Sequence, residues 1–158
     1  MESRRGVLGW DKGHLLRSEG YVEATIDGVT YTFREDVYYS ADGLWVAVDG
    51  ELARVGIGDC LYRAISPNLN LIALRPPGTE VRQGEQMGSF DMVKADVAIP
   101  SPVSGVIEEV NEELESHLWL VDTDRYDKGW LAVFRLTHFT TDRENLLDVH
   151  AYRAMVEV

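Results

Sequence analysis

A mostly β domain with short peripheral helices and a C-terminal helix is what this sequence predicts, and three observations predict it. Strand-sized apolar stretches follow one another from about residue 20 to residue 136. Turn signals of the Asp-Gly, Pro-Gly and Gln-Gly type separate them. The spacing becomes helical only near the C-terminus. At 158 residues the chain is long enough for one core, and its composition (45% apolar, 27% charged) is that of a globular protein.

The elements follow in order. Residues 21–26 and 29–33 flank Asp27-Gly28, the strongest two-residue hairpin signal in the chain. Residues 44–48 alternate around Trp45, and Asp49-Gly50 turns the chain into a partner strand over 51–57. Asp59 is placed to cap a short helical turn over 60–65, which Pro67-Asn68 ends. Residues 69–74 form an apolar strand that stops at Pro76-Pro77-Gly78. A brief strand at 80–81, a turn at Gln83-Gly84 and strands over 86–92 and 97–99 come next. A turn at Ser104-Gly105 leads into a strand over 106–110, a short helix over 112–120 and a strand over 130–136. Thr141 and Glu144 have capping-box spacing, and Asp148 is placed to cap a last helix with Val149, Tyr152, Met155 and Val156 on one face.

Composition excludes several function classes. Lys and Arg total 15 against 27 Asp and Glu, a formal net charge of −12, which repels nucleic acid and favours basic protein surfaces. No apolar run is long enough to span a bilayer, and the first twenty residues mix both charges without the apolar block of a secretory signal, so a cytoplasmic protein is expected. The single cysteine, Cys60, excludes an internal disulfide and reads as a packed thiol. His14, His117, His138 and His150 show no ligand spacing, and no metal site is expected. The acidic residues between Glu108 and Glu115 read as a solvated face, and Trp119 and Trp130 as core residues.

Function is expected around Lys94. Gly84 lies ten residues before it and Gly105 eleven residues after it, in the similar stretches PPGTEVRQGE and PSPVSGVIEE. That near-symmetry suggests two halves folded about a central hairpin with Lys94 near its tip. The turn lacks the Gly or Asn that tight hairpins favour, and Asp91 and Asp96 flank the lysine as a fixed acidic address.

At these residues the sequence resembles the glycine cleavage H-protein family, from about Tyr39 to the C-terminus. The family's attachment motif, Glu-Ser-Val/Ala-Lys-Ala followed by Ser-Pro-Val-Ser-Gly, reads here as Asp91-Met92-Val93-Lys94-Ala95 and Ser101-Pro102-Val103-Ser104-Gly105 in the same register. Val110-Asn111-Glu112, Leu120-Val121, Tyr126, Gly129-Trp130-Leu131, Leu146-Leu147-Asp148 and Ala151-Tyr152 match further on, and Trp45-Val46 and Val55-Gly56-Ile57 upstream. Asp91 and Met92 replace the family's Glu and Ser, and Gly43-Leu44 stands where the family has His-Glu.

The resemblance implies the lipoyl/biotinyl-attachment fold (a barrel-sandwich hybrid) over residues 39–158, with residues 1–38 as an extension that includes the first hairpin. It implies a non-catalytic lipoyl carrier with lipoate joined to Lys94, read by a lipoate ligase or lipoyl transferase through Asp91, Met92, Val93, Ala95, Asp96, Gly84 and Gly105. Biotinyl domains carry a methionine on each side of the lysine; Val93 and Ala95 here favour lipoate. The implied role is to shuttle an aminomethyl group between glycine decarboxylase (P protein), aminomethyltransferase (T protein) and dihydrolipoyl dehydrogenase (L protein). Alternatives are a carrier for another pathway, such as bacterial sulfur oxidation, or an unmodified interaction module. No membrane or nucleic-acid partner is expected.

Overall fold

The Asp27-Gly28 turn forms as its residues dictate. In the computed structural model, which describes residues 20–157, Asp27 and Gly28 take φ values of 52° and 82°. Both are positive, as a two-residue primed turn requires. Strands β1 (Tyr21–Ile26) and β2 (Val29–Arg34) pair antiparallel about it as a separate two-stranded sheet.

Two larger sheets face each other behind this hairpin. The first contains β3 (Tyr38–Tyr39), β4 (Leu44–Asp49), β5 (Leu52–Ile57), β7 (Glu80–Val81), β10 (Gly105–Val110) and β11 (Ala132–Leu136), in the order β3-β4-β5-β11-β10-β7. The second contains β6 (Leu69–Leu74), β8 (Gln86–Met92) and β9 (Asp96–Pro100), in the order β6-β8-β9. Val46, Val55, Ile57, Ile107 and Phe134 from the first sheet share one apolar core with Ile72, Met87, Phe90 and Ile99 from the second. Strand β4 is buried on both faces. Leu44 and Val46 enter this core, while Trp45 and Ala47 enter a second, aromatic one with Phe33, Tyr39, Tyr126 and Tyr152. Continuous burial explains why residues 44–47 are uniformly apolar rather than alternating.

Several local expectations yield to longer-range contacts. Helix α1 (Asp59–Ile65) is capped by Gly58 without any side-chain bond. Asp59 is instead 3% exposed: its carboxylate accepts from the Thr32 amide at 2.8 Å and meets Arg125 Nη1 at 2.6 Å. A buried carboxylate is satisfied better by a guanidinium and an amide from elsewhere than by capping its own helix. The helix expected over 112–120 is split into α2 (Glu113–Ser116) and α3 (Leu120–Thr123), because His117 leaves helical geometry at φ −132°, ψ 56°. The break lets Leu114 and then Leu120 and Val121 reach the core. It also leaves Trp119 57% exposed against the expectation of burial, while Trp130 is half-buried with the Arg54 guanidinium 4.9 Å from its ring centre.

The C-terminal segment shows one failed cap and one that forms. Thr141 lies inside α4 (Phe139–Asp142), which starts after His138 with no side-chain cap, so the Thr141–Glu144 box does not form. Asp148 does cap α5 (Val149–Val156), accepting from the Ala151 amide at 2.8 Å. Three of the four residues of the expected stripe dock: Val149 and Tyr152 are buried and Val156 packs partly buried against the same core, whereas Met155 is exposed. Tyr152 stacks on Tyr39 with ring centres 4.5 Å apart. The Cys60 thiol is half-buried, and burial raises its pKa.

Gly105 opens β10 rather than making a turn, and it lies against β11 so closely that a Cβ would meet the Arg135 carbonyl oxygen at 2.4 Å. Backbone cannot move aside as a side-chain end can. Gly105→Ala is expected to cost about 1–3 kcal/mol of stability, read as a lower urea midpoint with unchanged m-value; an unchanged midpoint would show that β10 shifts freely.

Candidate functional site

Lys94 stands at the tip of the β8–β9 hairpin. Asp91 and Asp96 are cross-strand partners, and the Met92 amide donates to the Ala95 carbonyl at 3.0 Å. This leaves Val93-Lys94 as a two-residue loop with both residues exposed, Val93 at 61%. Among the described residues, Asp27 is the non-glycine with positive φ. The Val93-Lys94 loop therefore turns without the primed geometry that calls for Gly or Asn, and a β-branched valine fits it unstrained. The loop is also pinned from below. The Val93 amide donates at 3.0 Å to the carbonyl of Asn68, in the 3-10 turn Ser66–Asn68 that follows α1. The fold thus fixes the lysine's backbone and leaves its side chain in solvent.

The structure brings five of the seven expected recognition residues together and separates two. Asp91, Met92, Val93, Ala95 and Asp96 surround the loop, with Met92 partly buried against the core. Gly84 and Gly105 sit at the opposite end of the hairpin strands. There the Gly84 amide donates to Ser101 at 2.8 Å and the Ser101 amide to Glu85 at 2.7 Å, and Gly105 pairs with Val81. These are the contacts through which the two similar half-sequences meet. A polar network missed by sequence reasoning locks that base to the C-terminal segment. The Ser104 amide donates to the Asp142 carboxylate at 2.6 Å, and Gln83 Nε2 donates to the carbonyls of Pro102 and Asp142. Its bonds are mostly to backbone, as is the one to Asn68, so side-chain identity carried little signal for them.

Two carboxylates face each other beside the lysine. Asp91 and Asp96 stand opposite each other across the strands, and the neighbouring Asp96 carboxyl raises the pKa of Asp91 from its ordinary value. Asp96→Asn removes the like charge, so the Asp91 carboxyl is expected to titrate at lower pH than in the unmodified sequence. Carbon-detected NMR titration measures this; an unmoved midpoint would mean that the two carboxyls do not interact in solution. Lys94 does not line the cleft of about 530 Å³ bounded by Glu109, Asn111, Glu113, His117 and Trp130. Among the described residues no group of three or more His, Cys, Asp or Glu is placed to hold a metal ion, and no helix is long and apolar enough to cross a membrane.

A two-sheet sandwich that holds out one lysine on a rigid loop is a carrier domain of the lipoyl/biotinyl-attachment class, in which the fold positions a prosthetic group. Comparison with known proteins narrows the class. The sequence profile described as Glycine cleavage H-protein matches residues 37–158. The glycine cleavage system H protein of Geobacillus kaustophilus is 33% identical over 122 residues, covering 77% of this chain and 94% of that protein. That of Carboxydothermus hydrogenoformans is 32% identical, covering 78% and 93%. The crystal structure of a glycine cleavage system H protein from Mycobacterium marinum superposes with a TM-score of 0.67 at 25% identity, covering 80% of this chain and all of that one. The chain belongs to the glycine cleavage H-protein family, and with it to the carrier role in glycine cleavage.

Proposed function

We propose that this protein carries lipoate as an amide on Lys94 and serves the glycine decarboxylase, aminomethyltransferase and dihydrolipoyl dehydrogenase of the glycine cleavage system. The observation that carries this reading is the loop itself: an exposed primary amine on a backbone held by the Met92–Ala95 and Val93–Asn68 bonds. An amine there suits amide formation with a carboxylic acid. At neutral pH an ammonium group is a poor nucleophile, so the acid must arrive activated on a ligase or transferase that grips the folded hairpin. Asp91 and Asp96 offer that enzyme a negative address. When attached, lipoate supplies a disulfide that is reduced and reoxidised reversibly on a flexible stem.

The chain's own residues supply position. The rigid loop keeps the stem's root fixed while its end visits successive active sites at high effective concentration. In this reading the protein makes no catalytic contribution of its own, acts in the cytoplasm, and has residues 39–158 as its working domain. Intact mass and peptide mapping of protein from its native host test the assignment. A lipoyl group on the peptide containing Lys94 supports it; an unmodified Lys94 in cells whose other lipoyl proteins are loaded overturns it.

A further inference from the structure

Trp119 is the largest of the exposed apolar side chains among the described residues, 57% exposed at the junction of α2 and α3. Tryptophan carries more apolar area than other side chains, so leaving it in water is unfavourable. Its position is nevertheless fixed. The Trp119 carbonyl accepts from the Asp122 and Thr123 amides and from Thr123 Oγ1, and the His117 ring stands edge-on to the indole with centres 5.7 Å apart. A rigid exposed aromatic is the kind of group that anchors an interface.

The surface beside it is acidic. His117 also lines the cleft of about 530 Å³, together with Glu109, Glu112, Glu113 and Trp130, and no described lysine or arginine lines it. Glu115 follows on α2, exposed like Glu112 and Glu113. Among the described residues, no lysine or arginine forms an ion pair with Glu112, Glu113 or Glu115; Glu113 meets His117 at 3.4 Å. Whatever covers the indole must therefore bring positive charge with it.

The chain itself holds such a segment. Residues 1–19 lie outside the described residues and precede the region that matches the family, which begins at residue 37. They contain Arg4, Arg5, Lys12 and Arg17 against three acidic residues, a small positive balance in a chain of net charge −12. Val7-Leu8, Trp10 and Leu15-Leu16 are interleaved with these cations. A surface of one indole and several carboxylates calls for this mixture of cations and apolar side chains.

The segment joins the body next to that surface. Tyr21 packs on Tyr126 with ring centres 5.9 Å apart, and the loop that carries Tyr126 runs on to Trp130 in the cleft wall. Gly129 of the same loop lies so close to Leu120, the residue after Trp119, that a Cβ would meet the Leu120 carbonyl oxygen at 2.7 Å. Reach is not limiting in any direction. Nineteen extended residues span about 60 Å, and a folded body of this size is roughly 40 Å across. The tether also holds the segment at an effective concentration in the millimolar range, which favours it over a separate basic protein of the same chemistry.

We propose that residues 1–19 dock on the surface formed by Trp119 and the carboxylates of Glu112, Glu113 and Glu115, with basic side chains pairing with the carboxylates and apolar ones covering the indole. The N-terminal extension is then a cover built into the chain, and its docking does not depend on what Lys94 carries. Because the pairing is between charges near solvent, added salt loosens it.

The test is fluorine NMR of the full chain labelled with 5-fluorotryptophan, with the Trp119 signal assigned through Trp119→Phe. The readout is the displacement of that signal between H2O and D2O, which is large only for an indole open to solvent. In dilute buffer the Trp119 displacement is expected to be about threefold smaller than in 1 M NaCl, where screening acts within about 3 Å. Arg4→Glu/Arg5→Glu/Lys12→Glu/Arg17→Glu leaves every described residue in place and is expected to raise the displacement to its full value in dilute buffer. Adding Glu112→Lys/Glu113→Lys/Glu115→Lys to that variant is expected to bring the small displacement back, an exchange of charges that a loss of folding does not mimic. A full displacement in the unaltered chain overturns the proposal. So does a small one that survives reversal of the four basic residues, or one that grows on dilution and so reports a second copy of the chain. Failure of the exchanged variant to recover, with its thermal melt intact, overturns it too; where that variant melts early, the reversal of the four basic residues decides alone.

Discussion

Lys94→Arg protein from a host that lipoylates its other carriers is expected to have the mass of the bare chain, a complete loss of the modification. The substitution keeps the positive charge and removes the only amine on the loop, since a guanidinium is not acylated by an activated carboxylic acid under these conditions. The loop's backbone bonds, Met92 to Ala95 and Val93 to Asn68, do not involve the lysine side chain. Stability should therefore change by no more than about 0.5 kcal/mol. Intact mass read beside a thermal melt separates the two effects. A modification that persists in Lys94→Arg would place the attachment elsewhere and overturn the role given to this hairpin.

Asp59→Ala is expected to have the largest effect on stability, about 3 kcal/mol. Asp59 is nearly inaccessible, and its two oxygens serve Arg125 and the Thr32 amide, with Arg63 at 3.7 Å. Removing the carboxylate leaves the Arg125 guanidinium, itself only 16% exposed, without its closest counter-charge. It also leaves the hairpin without one of its bonds to α1. For a chain of this size the melting temperature should fall by roughly 6–12 °C. Hydrogen exchange should show β1 and β2 losing protection before the two larger sheets. A loss below 1 kcal/mol, or uniform loss of protection, would show that the hairpin's other contacts, among them Phe33 in the aromatic core and the Tyr126–Thr32 bond, hold it without Asp59.

Where a structural feature depended on neighbours in sequence, the sequence announced it. Asp27-Gly28 supplies the two positive φ values of its own turn, Asp148 lies three residues before the amide it caps, and the apolar runs set most strand limits within a residue or two. Lys94 at a hairpin tip was legible because turn signals lie at similar distances on either side of it. Where distant chain decided, local rules failed. Asp59 looks like a helix cap but is claimed by Thr32 and Arg125, which lie 27 and 66 positions away. Gly105 looks like a turn residue, but its missing side chain admits β11. Residues 112–120 read as one helix, yet the chain leaves helical geometry at His117, and Leu114 before the break and Leu120 after it both join the core. Asn68, which steadies the lysine loop, does so through a carbonyl that any residue would provide.

The central sheet also sets a timetable for synthesis. Strand β5 can pair with β4 as soon as both are made, but its other edge waits for β11, whose Ala132 lies opposite Val55. At about 5–20 residues per second the ribosome takes some 4–15 s to cover the intervening chain. During that time an apolar strand edge has no partner of its own, the condition in which nascent chains pair with one another. Arg54, midway along β5, places a charge in that edge and ends up over the Trp130 ring once β11 has arrived. A residue that stacks on Trp130 and pairs with Asp127 in the finished molecule would then also act in the seconds before the molecule exists.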